Sequence, residues 1–203
     1  MDRLAFTLIV LISLAARSPL AFAQGGPDDG MTAYQSGDYA KAVQLWRPLA
    51  EKGDVTSQYR LGIMYAEGKG VAADDQEAFK WFQRAAEKGS AAAQYNVGAS
   101  YAAGIGVGKD DAEAAKWFRR AAEQGMPYAQ LNLGLLYAGG HGVPQDNVEA
   151  MTWLQLALFS LPPGAARSDV ARAMEDVSGK MTDQEREDAR DHVRSWKPKA
   201  EAK

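Results

Sequence analysis

Apolar residues recur along this chain at spacings of three and four. Ala78, Trp81, Phe82 and Ala85 keep that spacing, and Ala114, Trp117, Phe118 and Ala121 keep it again further on. A helix gathers positions so spaced on one face, so both stretches predict amphipathic helices with a buried stripe. A second helix is predicted ahead of each. Tyr95, Gly98 and Tyr101 stand three apart and Val97 and Tyr101 four apart, on adjoining faces of an amphipathic segment. Its glycine needs a cause, because glycine in a helix interior costs about 1 kcal/mol relative to alanine. Close approach of the following helix, leaving no room for a side chain, supplies one.

The pattern repeats with a step of 36 residues, which superposes segments 54–89, 90–125 and 126–161. Gln58, Gln94 and Gln130 coincide, as do Gly62, Gly98 and Gly134, then Tyr65, Tyr101 and Tyr137, then Trp81, Trp117 and Trp153. Each unit therefore reads as a helix pair joined by a glycine loop. Glu67-Gly68-Lys69-Gly70-Val71, Ala103-Gly104-Ile105-Gly106-Val107 and Gly139-Gly140-His141-Gly142-Val143 supply the turns, since glycine tolerates positive φ. The valine turns inward. Asp74-x-x-Glu77, Asp110-x-x-Glu113 and Asp146-x-x-Glu149 have the form of capping boxes at the start of the second helix, and Gly89 and Gly125 close it.

A single pair of this size cannot bury enough surface alone, so the units must stack and the ends must be capped. Residues 24–53 read as a partial repeat, in which Asp38, Ala42, Leu45, Trp46, Leu49 and Gly53 reproduce a second helix behind a shortened first one. Beyond the third unit, Pro162-Pro163-Gly164 breaks the pattern and residues 162–196 read as a helical cap. One of its helices carries Val170, Ala173, Met174 and Val177; the other starts at Thr182-x-x-Glu185 and presents Ala189, Val193 and Trp196. Residues 197–203 read as a frayed, disordered tail.

The N-terminus has a different character. Arg3 precedes a thirteen-residue apolar run, Leu4 to Ala16, and Ala21-Phe22-Ala23 offers small residues at a cleavage site, so residues 1–23 read as a signal peptide cut after Ala23. Arg17, Ser18 and Pro19 end the run short of the roughly 20 apolar residues a spanning helix needs. The expected product is periplasmic or secreted, without membrane insertion after cleavage. Removing Asp2, Arg3 and Arg17 leaves 21 basic and 25 acidic residues, a net charge of −4, with no cationic run to hold a phosphate backbone. Nucleic acid is therefore not an expected partner. There is no cysteine, which excludes disulfides and thiolate metal sites and leaves packing as the source of stability.

Candidate chemistry is sparse. His141 replaces Lys69 and Ile105 in the last glycine loop, and His192 stands beside Asp188 and Asp191 on the terminal helix, without metal-ligand spacing. Gly104-x-Gly106-x-Gly108-Lys109-Asp110 lacks the spacing and the hydroxyl residue of a phosphate loop. Asp74/Asp75 and Asp110/Asp111 are explained by their place at helix N-termini. No enzyme activity, cofactor or metal is expected.

Residues 94–125 contain Gln-Tyr-x-x-Gly-x-x-Tyr-Ala-x-Gly-x-Gly-Val, followed by an Asp and then Ala-x-x-Trp-Phe-x-x-Ala-Ala-x-x-Gly. This string resembles the Sel-like repeat family, relatives of tetratricopeptide repeats, and the resemblance covers about residues 31–161. It implies an all-α fold, a right-handed α/α superhelical solenoid whose first helices line a concave face, and a role as adaptor for a protein or peptide partner, an envelope component among the candidates. On that face it places Thr56, Tyr59, Arg60 and Ile63, then Tyr95, Asn96 and Ala99, then Tyr128, Asn132 and Leu135. Asparagine there can bond both the N–H and the C=O of an extended peptide. The resemblance also suggests an alternative, a peptidoglycan- or β-lactam-related enzyme or a glycan-binding accessory. The cysteine-rich pattern of the members linked to β-lactams is missing here. A monomer or weak self-association through a free end of the stack is expected.

Overall fold

The computed structural model describes residues 29–199. Residues 1–28, on which the expected signal peptide and cleavage site fall, and residues 200–203 lie outside the described residues. Ten helices and no strands are found among the described residues: α1 (Asp29–Gln35), α2 (Tyr39–Glu51), α3 (Val55–Glu67), α4 (Asp75–Glu87), α5 (Ala91–Ala103), α6 (Asp111–Glu123), α7 (Pro127–Gly139), α8 (Asn147–Ser160), α9 (Ala165–Ser178) and α10 (Asp183–Ser195). Each helix from α1 to α8 packs against the next in sequence, which makes an all-α repeat solenoid, and α10 crosses back onto α8. Odd-numbered helices up to α7 are the first (A) helices of their units, and even-numbered ones up to α8 the second (B) helices.

The helix glycines have the expected cause. A Cβ at Gly62 would lie 2.5 Å from the Phe82 ring, one at Gly98 2.8 Å from Phe118, and one at Gly134 2.8 Å from Leu154. The A and B helices thus meet at backbone distance where the large B-helix side chain lies. Gly30 stands in the same relation to Trp46. The N-terminal unit is therefore built like the others; its connection is only Ser36 and Gly37 before the Asp38 cap, and that shortening hides Gly30 from a 36-residue step. Leu49, expected inward, is 47% exposed, and Ala50 is buried in its place.

Contacts between units come from two further positions. Gly70, Gly106 and Gly142 all have φ near +70°, and a Cβ on any of them would strike backbone at the start of the preceding B helix, at Tyr39, Asp75 and Asp111 respectively. Successive loops therefore ride directly on the helix start of the unit before. Gln58, Gln94 and Gln130 are buried, and their Nε2 atoms donate to the carbonyls of Ala50, Ala86 and Ala122 at 2.9, 3.1 and 3.2 Å. Those carbonyls belong to the last turn of the previous B helix, so each glutamine caps its neighbour while filling the junction.

The capping boxes are only half formed. Asp74, Asp110 and Asp146 accept from two amides each at 2.9–3.0 Å. Glu77 and Glu113 do not reach back; they pair with Lys80 and Lys116 one turn on, and Glu149 accepts from Trp153 Nε1. The complete box is Thr182 with Glu185. The A helices are less amphipathic than the pattern suggests. B helices flank α5 and α7 on two sides, so apolar or small residues are buried around most of their circumference. Trp117, placed in the buried stripe, is only half-buried, whereas Phe118 is fully enclosed.

The tail is also less free than expected. The Lys199 N–H donates to the Glu123 carbonyl at 2.8 Å, and Trp196 and Pro198 lie over Gly125. A carbonyl left open at the end of α6 gains a donor, and the tryptophan covers a position with no side chain of its own.

Candidate functional site

The A helices carry one stripe of aligned positions that the rest of the fold covers only in part. On α3 it consists of Thr56, Arg60, Ile63 and Glu67, on α5 of Ala92, Asn96, Ala99 and Ala103, and on α7 of Tyr128, Asn132, Leu135 and Gly139. Spacings of four, three and four keep each set on one helical face, and the repeat step aligns the three sets side by side. Thr56 and Ala103 are exposed; Arg60, Ile63, Ala92, Asn96, Tyr128 and Leu135 are half-buried. Ala99 and Asn132 are each only 1% exposed, so they form the floor of the stripe. Tyr95 is buried and Tyr59 half-buried, both beside the stripe.

Packing between neighbouring A helices decides which groups stay available. The Tyr59 ring lies 5.7 Å from Phe82, and Tyr95 lies 5.8 Å from Phe118 and 6.3 Å from Tyr128. Each tyrosine points its hydroxyl at the asparagine of the next A helix, Tyr59 at Asn96 and Tyr95 at Asn132. Burial pushes the Tyr95 phenol up to about 12, against a smaller lowering by Asn132, and raises Tyr59 in the same way against Asn96. Asn96 also donates to the Ala92 carbonyl at 3.1 Å, closing a local turn of its own helix. The Arg60 guanidinium stacks on Trp46 at 5.0 Å, and burial lowers its pKa. The polar register expected to be free for a peptide is thus partly engaged in joining repeats. Tyr95, Ala99 and Asn132 are too enclosed to touch a partner in this conformation, because the rings of Phe118 and Tyr128 and the adjoining helices close over them.

The remaining candidate groups lie elsewhere. His141 and His192 are exposed, at opposite ends of the third unit and its cap. Among the described residues, no group of three or more His, Asp or Glu side chains is placed to hold a metal ion. No described helix is long and apolar enough to cross a membrane. Sequence reasoning missed the role of the three buried glutamines; their shared register carried the signal, but their partners sit eight residues back, in the preceding unit.

Comparison with known proteins places this arrangement. The Sel1 repeat model matches residues 29–54, 55–90, 91–126 and 127–158. Two proteins described as exopolysaccharide production negative regulators are similar over short stretches. The one from Rhizobium leguminosarum bv. viciae is 46% identical over 61 residues, 28% of this chain and 23% of that protein. The one from Rhizobium meliloti is 51% identical over 51 residues, 25% of this chain and 19% of that protein. The chain thus spans less than a quarter of the curated relatives it matches. Among solved structures, a Sel1 repeat protein from Oxalobacter formigenes superposes with a TM-score of 0.65 at 32% identity, over 73% of this chain and 58% of that one. A protective antigen present in uropathogenic Escherichia coli strains, displaying an SLR fold, gives 0.56 at 26% identity over 83% and 45%. Sel1 repeats generally mediate protein–protein interactions and are typically a non-catalytic fold. Four matched repeats covering well over half of its length make this chain a member of the Sel1 repeat family.

Proposed function

We propose that this protein is a non-enzymatic adaptor, exported by its N-terminal segment, that docks part of a partner protein on the partly covered stripe of α3, α5 and α7. The observation that carries this reading is the contrast between faces. Helices enclose the other sides of α5 and α7, yet the stripe leaves Ile63, Tyr128 and Leu135 only half-buried. Rigid helices present these groups at fixed spacing, as a binding surface requires. Export sets the compartment of the reading as periplasmic or secreted, and the names of the rhizobial relatives direct the search for a partner toward the cell envelope and exopolysaccharide production.

Photocrosslinking tests the proposal. A photoreactive phenylalanine analogue at Ile63 or Leu135 should capture a discrete partner in intact cells, whereas the same group at Lys80 or Lys116, on the outer face of the B helices, should not. Capture from the B-helix positions alone would refute the assignment. Fractionation of the same cells, with the protein remaining in the cytosol, would refute export.

A further inference from the structure

Among the described residues only two large apolar side chains are exposed, Leu49 at 47% and Phe159 at 75%. They lie at opposite ends of the stack, in the last turns of the first B helix, α2, and of the last, α8. Each departs from what the repeat places at its register. Leu49 stands where the later units have Ala85, Ala121 and Ala157, all fully buried. Phe159 stands where the earlier units have Glu51, Glu87 and Glu123. Glu51 and Glu87 meet water there, and Glu123 meets the Lys199 side chain at 3.6 Å. The register suits a carboxylate, and packing within the chain does not call for a ring. A lone exposed apolar residue needs no explanation, but here the second one lies against a groove.

That groove, of about 340 Å3, runs between α1 and α2 and is lined by Ala33 and Leu45 together with Asp29, Thr32, Asp38 and Lys41. Leu49 follows Leu45 by one helical turn on the same face of α2. In the next unit the register of Leu45 belongs to Trp81, which shares a buried cluster with Val43, Trp46 and Ala50 of α2, the B helix before it. The corresponding face of the first unit is left with Leu45 half-buried and Leu49 exposed. Its exposed carboxylates, Asp29 and Asp38, outnumber the one ammonium of Lys41. At the other end of the stack Arg167 is exposed and donates through Nη1 to the Leu161 carbonyl at 3.1 Å, which holds the guanidinium beside the turn that follows Phe159. A ring and a cation at one end thus match an apolar groove and carboxylates at the other.

We infer that the groove between α1 and α2 takes Phe159 of a second copy, joining copies of this chain head to tail. Such a contact uses two different surfaces, so it repeats from copy to copy instead of pairing two copies about a twofold axis. A phenylalanine buries roughly 150–250 Å2, far below the ~1,200 Å2 of a stable interface. The contact is therefore weak and transient, with a Kd on the order of 1 mM. Neither Phe159 nor the groove belongs to the stripe of α3, α5 and α7, so copies in a row present their stripes in series. A partner with several docking segments is then held by more than one copy at a time.

Sedimentation equilibrium of the purified protein, freed of its export segment, tests this at concentrations up to about 2 mM, above the expected Kd. The weight-average mass should rise with concentration and pass that of a dimer without levelling off. Phe159→Ser and Leu49→Glu, both at exposed positions and of unchanged thermal midpoint, should each stay monomeric throughout. Mixed in equal amounts they should form dimers and nothing larger, because the first keeps only its groove and the second only its ring. A wild-type protein that stays monomeric overturns the inference, as does association that either variant retains on its own. A mixture without dimers, beside a wild type that associates, overturns the head-to-tail pairing.

Discussion

Three glycines in one loop separate the energetic demands of the repeat junction. Gly108 has nothing within 4 Å of a would-be Cβ and no positive φ, so Gly108→Ala should change stability by less than about 0.5 kcal/mol. Gly104 ends α5 with φ +71°, and its Cβ would meet the Lys109 Cβ and backbone nitrogen at 3.3 Å, a tight contact that a shift of a few tenths of an ångström relieves. A left-handed conformation costs an L-residue roughly 1–2 kcal/mol, and Gly104→Ala should lose about that. Gly106 has the same φ of +71°, but its Cβ would strike the backbone carbonyl of Asp75 in the preceding repeat. Backbone cannot rotate away as a side chain can, so an overpacking cost of roughly 1–3 kcal/mol adds to the conformational one. Gly106→Ala should therefore lose about 2–5 kcal/mol. Urea unfolding followed by both far-UV circular dichroism and tryptophan fluorescence measures the series; coincident transitions are the requirement for a single free energy in a repeat protein. Equal losses for Gly104→Ala and Gly106→Ala would refute the reasoning, because only the second residue rests on its neighbour.

Other consequences follow from the same contacts. Gln94→Leu strips a donor from the Ala86 carbonyl and an acceptor from Gln124 Nε2, which bonds Gln94 Oε1 at 2.7 Å. It should cost about 1–3 kcal/mol in urea unfolding, and no loss would mean that water replaces the glutamine freely. Phe118→Ala removes a fully enclosed ring and should cost about 3–5 kcal/mol, whereas Trp117→Ala, half-buried beneath Arg120, should cost less than about 3 kcal/mol. The reverse order in thermal or urea denaturation would show that the helix faces are misassigned. Tyr95 gives an alkaline signature. Its pKa of about 12 exceeds the ordinary value of 10.0, so the unfolded chain loses that proton first and binds fewer protons than the folded one. Stability from this group is intact below the ordinary value and falls as pH rises through 10 to about 12, by on the order of 2–3 kcal/mol. Tyr95→Phe should flatten that part of the stability profile; an identical alkaline decline in the variant would place its origin elsewhere.

Much of this architecture was legible in the sequence because the contacts that build it recur in register. Gly62, Gly98 and Gly134 could be read as close approaches to the B helix, since a glycine kept inside three helices demands a spatial reason. Gly30 could not, because its unit has a shorter loop and falls out of the 36-residue step. The second demand on Gly106 was hidden as well: a positive φ is a local property visible from loop composition, whereas the Asp75 carbonyl is brought there by stacking. The candidate stripe shows the same division. Spacing alone placed Asn96 and Asn132 on one line, but whether they face solvent or a neighbouring tyrosine depends on the distance between A helices. That distance is set by the rings of Phe82, Phe118 and Tyr128, and a one-dimensional pattern does not state it.

The way the stack ends bears on which face is left to bind. Lys80 and Lys116 become Thr152 in the third unit, and Arg84 and Arg120 become Leu156. Both replacements are buried on α8, the B helix against which α9 and α10 pack. The cap thus closes the solenoid over its B helix and carries its many charges, paired as Arg186 with Asp183, Arg190 with Glu187 and Arg194 with Asp191, to the outside. Had it closed over the A helices, Tyr128 and Leu135 would be covered in the same way. They remain half-buried, so the third repeat ends the stack without giving up its part of the stripe, and the surface from α3 to α7 stays continuous up to the last repeat.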